Sequence, residues 1–302
     1  MKILSRKQVL ENMSALPYCL HGNLSSITDV KQNFISALNS IQKVRFDCSN
    51  KPMLSFRNDE LVSGLVRSSI FSEKDVTKDG FLANVEQQKE IESKYEEAWE
   101  VISSLDRGLY EIMNLLISTV FCCNVARLGG GSVTSYISVI WLSPKPEWTK
   151  VDYAENLVHE FVHNSLFLDD MVHNVFPDHL ELSSSDAMVT SSILKRKRHF
   201  DKSFHAACVS IALMYFYYLL GDTEKVDSFY PSLVRTVEEL IDRDSYVQSQ
   251  NRTIISSHGR EILSDMARFI RNPYYEEIHS SLNYWTMEQN QSHEDIKIPL
   301  NV

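Results

Sequence analysis

The stretch DYAENLVHEFVHNSLFL, residues 152–168, decides how the rest of the chain is read. Asp152 followed three positions later by Glu155 has the spacing of a capping box and predicts a helix through residues 153–168. Inside it His159, Glu160 and His163 form an H-E-x-x-H pattern. Residues four apart sit one above the other on a helix face, so both imidazoles can grip one metal ion. Glu160 points to a neighbouring side, where it reaches metal-bound water rather than the metal. Five-residue patterns with three fixed positions also occur in helices that merely carry two histidines. The capped helix and the strand expected before it favour the metal reading.

That strand is SVTSYISVIWL, residues 132–142, rich in β-branched and aromatic residues and closed by Pro144 and Pro146. Gly129, Gly130 and Gly131 before it read as a turn. A strand followed by the motif helix is the order seen in zincins. Further upstream, Leu82, Val85, Ile91, Tyr95, Ala98, Trp99, Ile102 and Leu105 recur at helical spacing and predict a long amphipathic helix. A second apolar segment spans Leu109 to Val125. Residues 1–80 mix short apolar runs with Pro17, Gly22, Pro52 and Gly64, which predicts short helices and irregular segments.

Downstream, Ser203 to Leu220 is eighteen residues without a formal charge, at the lower limit for a membrane span. It contains His205, Ser210, Tyr215, Tyr217 and Tyr218, and no second span accompanies it, so a helix buried on all sides is expected. Ile262, Leu263, Met266, Phe269 and Ile270 form one face of a late helix. The sum is an α+β protein, mostly α, with a zincin-like core and a small antiparallel sheet next to the motif helix. Residues 1–130 make a mostly helical N-terminal region and 131–302 the metal-binding region, or the two are one continuous domain.

The 302 residues are 43% hydrophobic and 23% charged, ordinary for a globular chain. A net charge of −10 argues against nucleic acid as the main partner. Five cysteines suggest reduced thiols in a cytoplasm better than a disulfide framework. Only Ile3 and Leu4 are apolar between Lys2 and Ser5, too little for a targeting signal. A cytoplasmic protein with no membrane partner is expected.

A catalytic metal usually has three protein ligands and an open position. Asp169 lies six residues after His163, but Leu166 stands where short-linker metallopeptidases need glycine. Glu181 is twenty-two after His159, in surroundings that read as loop or strand. His173 and His179 fall in the same expected loop. His205 opens the apolar helix, where an unpaired imidazole is costly. Lys195, Arg196, Lys197 and Arg198 precede it, a basic run that is either a solvated loop or the seat of an anionic co-substrate.

These residues resemble the H-E-x-x-H proteins encoded beside ribosomally made peptide natural products. Three blocks carry the resemblance: Leu157 to His163, Arg198 with His205 seven positions on, and the late helix beginning His258-Gly259-Arg260. They cover roughly the C-terminal half. The resemblance implies an iron(II)- and 2-oxoglutarate-dependent dioxygenase that β-hydroxylates a residue of a precursor peptide. It implies His159, His163 and His205 as metal ligands, with Arg198, or Arg196 in its place, on the distal carboxylate of 2-oxoglutarate, and Glu160 beside the metal. Imidazoles suit Zn as well as Fe. A zinc metallopeptidase with Glu160 as general base is therefore the second reading, and a non-catalytic peptide-binding scaffold the third.

Overall fold

The N-terminal segment is more regular than its breakers suggest. In the computed structural model, which describes residues 2–21, 30–125 and 128–283, it forms α1 (Arg6–His21), with Pro17 inside, and α2 (Val30–Ile41). Gly22, expected as a breaker, lies outside the described residues. Strand β1 (Met53–Ser55), α3 (Asp59–Arg67) and the single turn α4 (Glu73–Val76) follow. The long amphipathic helix is α5 (Val85–Leu105), opened by a capping box between Asn84 and Gln87 and burying Ile91, Tyr95, Ala98, Trp99 and Ile102.

The apolar stretch from Leu109 divides in two. Asp106 caps α6 (Arg107–Leu116), and Ile117 leaves the helix in an extended conformation and leads into β2 (Thr119–Cys122). Two expectations are corrected in the next segment. The glycine triplet is not merely a turn, because Gly130–Gly131 is a short edge strand, β3. The strand expected over residues 132–142 is confined to β4 (Val139–Leu142), preceded by a 3₁₀ turn at Thr134–Tyr136 and by Ser138 at φ 77°. The glycines are there for close approach. A Cβ on Gly131 would lie 2.5 Å from the Trp141 indole, which is itself buried against Phe71.

The sheet is also not the small antiparallel one expected. Its order is β1-β2-β4-β3, with β1, β2 and β4 parallel and only β3 antiparallel. After β2 the chain passes to the outside of the sheet as β3, turns, and returns as β4 between the two. Parallel neighbours need such long connections, and β2 and β4, with every residue buried, have the composition of strands covered on both faces.

Helix α7 (Lys150–His173) carries the motif and extends further at both ends than residues 153–168. Thr149, not Asp152, is its cap; Asp152 is the reciprocal partner of the box. Its extension takes His173 out of the expected loop. The chain continues through α8 (His179–Leu182), a hairpin of β5 (Val189–Thr190) and β6 (Lys197–Arg198), α9 (Phe200–Leu220), α10 (Thr223–Ser249), α11 (Ser257–Arg271) and α12 (Tyr275–Asn283).

Among the described residues a continuous apolar core runs from Leu4 in the N-terminal turn to Leu282 in α12. Helix α9 is its axis. It is long and apolar enough to cross a membrane, yet 83% of its apolar window is buried inside the protein, packed against α7 and α10. This is the burial expected for residues 203–220. Cys122, Cys123 and Cys208 are buried, and Cys19 and Cys48 are exposed.

Candidate metal centre

Three polar side chains fix the motif helix against the sheet. Asn164, fully buried, accepts a hydrogen bond from the Ser138 N–H at 2.8 Å through Oδ1. Its Nδ2 donates to the carbonyls of Val139 and Glu160. The left-handed Ser138 is held in turn by its own hydroxyl on the Leu116 carbonyl. Asn164→Ala would strand the Ser138 N–H and the Val139 carbonyl in a dry site. Losing such a buried polar link costs roughly 2–4 kcal/mol, which equilibrium denaturation should show as a lower midpoint with an unchanged m-value.

The second link sits at the motif itself. Ser132, directly after β3, donates its hydroxyl to Glu160 Oε2 at 2.7 Å. Glu160 is buried, and burial pushes its carboxyl up to about 7, with the Ser132 hydrogen bond pulling the other way. Its other oxygen lies 3.9 Å from His159 Nε2.

His159 and His163 present their rings 5.2 Å apart on α7, and His163 and His205 lie 5.3 Å apart between α7 and α9. Two imidazoles on one tetrahedral ion, with nitrogens at about 2.1 Å, hold their ring centres ~5 Å apart. Nδ1 of His163 and Nδ1 of His205 share a hydrogen bond at 3.0 Å. Phe167 and Phe176 press on the His205 ring at 5.2 and 6.0 Å. Burial pushes His159 down to about 4 and His205 to about 3, and holds His163 well below the usual imidazole range. All three are therefore neutral at pH 7, the protonation state that metal ligation requires.

His205 is placed by the serines around it. Ser203 donates to the Val189 carbonyl, and Ser192 bonds to the Ala206 carbonyl and to Ser210, so the β5–β6 hairpin is stapled to the first turns of α9. The same staple sets Arg198, at the end of β6, within electrostatic reach of His163 and His205. Its charge, with that of Lys202, depresses both His163 and His205. Lys202 is exposed and paired with Asp201 at 3.1 Å. Arg198 is half-buried, and among the described residues its side chain makes no hydrogen bond or ion pair, although the Asp201 carboxylate acts on its charge. Arg196 is exposed in the hairpin turn, and its charge bears on Arg198 rather than on the histidines.

The other candidate third ligands lie elsewhere. Glu181 is in α8, buried, and held by both its oxygens to Arg252 at 3.0 Å. His179 is exposed at the start of α8. Asp169 and His173 belong to a separate cluster on the last turns of α7, with His258 of α11. Among the described residues, Asp169, His173 and His258 form the group of three with one ligand atom each within 4.8 Å of the others. The sequence reading missed Ser132 and Asn164. Asn164 carried a usable signal, a polar residue inside an otherwise apolar stretch of the helix, whereas Ser132 carried none.

Compared with known proteins, the chain matches no family model and no curated sequence.

Proposed function

We propose that the chain is an iron(II)- and 2-oxoglutarate-dependent oxygenase that β-hydroxylates a residue of a ribosomally made peptide, on a zincin-like arrangement of sheet and motif helix. His159, His163 and His205 would hold the metal. Their neutral state and the His159–His163 and His163–His205 ring separations suit that role, while the three do not bring one ring nitrogen each within 4.8 Å of the others, so binding would require the side chains to close in. The observation that carries the reading is Arg198, a half-buried guanidinium whose charge reaches His163 and His205 and whose side chain forms no ion pair among the described residues, the carboxylate that bears on it, Asp201, being paired with Lys202. Such a group is expensive to keep unpaired, and its planar fork matches a carboxylate with two parallel hydrogen bonds. When bound, ferrous iron with three protein ligands supplies dioxygen activation, with 2-oxoglutarate as the reductant that leaves as succinate and carbon dioxide.

The chain's own residues supply binding and orientation. Arg198 would fix the distal carboxylate, and the apolar wall of Phe167 and Phe176 keeps water from one side of His205. Edge strand β3 lies beside α7, and the residue after it touches Glu160. An extended peptide adding to that edge would run past the motif. The net charge of −10 suits a basic or neutral peptide.

Glu160 favours a second reading, a zinc metallopeptidase, because a buried carboxyl next to the motif histidines is where a general base would stand. Glu160→Gln separates the two. The oxygenase should lose roughly 10–100-fold in succinate formation, as when an outer partner of a metal site is altered, and neither protein should cut peptide. Metal-dependent peptide cleavage that falls ~10²–10⁴-fold in Glu160→Gln, with no 2-oxoglutarate consumed by the wild type, would establish the peptidase instead.

A further inference from the structure

We propose that Asp169, His173 and His258 form a second divalent-metal site, of the zinc class, that clamps α1, α7 and α11 together. Asp169 and His173 stand four apart on one face of α7, and His258 reaches them from the first turn of α11. His258 Nε2 lies 2.9 Å from Asp169 Oδ2, and His173 Nε2 lies 3.9 Å from Asp169 Oδ1. The two imidazoles are stacked with ring centroids 4.0 Å apart and would have to part by about 1 Å to share one ion. Ligands of a tetrahedral zinc ion at about 2.0–2.1 Å are separated by ~3.4 Å, so the three groups already bracket the required spacing. A fourth ligand is at hand in Asn12 of α1, whose Oδ1 is 2.9 Å from His173 Nε2 and whose Nδ2 donates to Asp169 Oδ1 at 2.7 Å.

The charge balance argues the same way. Asp169 is 1% exposed, and its described partners are the two histidines and Asn12, with no lysine or arginine among them. A buried carboxylate calls for a cation, and a divalent ion between it and two imidazoles supplies one. His173 is a third exposed, which leaves a path for the ion to enter. The site is separate from the H-E-x-x-H centre. Ten residues divide His163 from His173 on α7, about 15 Å at the rise of an α-helix.

The test is zinc binding to the metal-stripped full chain, followed by calorimetry and metal analysis, with Zn²⁺ alone as the probe. His163→Ala/His205→Ala removes the first centre and should retain one equivalent of zinc. Adding His258→Ala should remove that equivalent, and adding Asn12→Ala instead should weaken it ~10–100-fold. Adding His173→Gln to the double variant, at a partly exposed position, guards against loss of folding and should also remove that equivalent while circular dichroism stays unchanged. Retained zinc in the variants that lack His173 or His258, or no zinc in His163→Ala/His205→Ala that is folded, would overturn the proposal. Neither result depends on whether the first centre is an oxygenase.

Discussion

His205→Ala is expected to abolish iron binding at the motif centre and, with it, all succinate formation. The loss should exceed the ~10–100-fold that removing an outer partner of a metal site costs, because His205 would be one of three direct ligands. Alanine also leaves a gap between Phe167 and Phe176 and strips His163 Nδ1 of its hydrogen-bond partner. Stability will therefore drop as well, so iron content must be read on protein whose circular dichroism matches wild type. His205→Gln, which refills most of the volume and keeps an amide for His163, should fold better and still bind no iron. Iron content near wild type in a folded His205 variant would remove this residue from the ligand set.

Arg198→Ala should leave iron content unchanged and weaken 2-oxoglutarate binding by roughly 2–4 kcal/mol, the range for taking one partner from a desolvated charge pair. That is about a 30- to 700-fold rise in Kd. Arg198→Lys should recover only part of the loss, because an ammonium supplies charge but not the two-pronged fork. Arg196→Ala should change little, since that side chain is exposed in the hairpin turn and its charge bears on Arg198 alone. Equal losses from the two arginine variants would mean a diffuse basic patch rather than one carboxylate seat.

How much of this was legible in the sequence depends on the range of the interaction. The motif helix, α5 and the buried α9 were readable because helical periodicity and capping are local. The cap itself was misplaced by three residues, since Asp152 serves as the reciprocal partner of Thr149. The sheet was misread because β-branched composition does not separate a strand from an irregular approach to one. Ser132 to Ser138 has the residues of a strand but not its backbone, which the left-handed Ser138 interrupts. Parallel pairing of β4 with β2 is invisible in either segment alone. At the site, His163 and His205 were paired in advance only through resemblance, and the structure brings them to hydrogen-bonding distance. The apolar periodicity fades after residue 168, so it hides that His173 is helical, and the cluster of His173 with Asp169 and His258, 85 positions further on, joins two helices in a way that no spacing rule exposes.

The most direct measurement is the anaerobic binding isotherm of 2-oxoglutarate to the iron(II)-loaded full chain. One equivalent of 2-oxoglutarate should bind per motif-bound iron, lost when iron is withheld and weakened ~30- to 700-fold in Arg198→Ala. An isotherm with no binding to the iron-loaded protein, or one that is the same without iron and without Arg198, would contradict it.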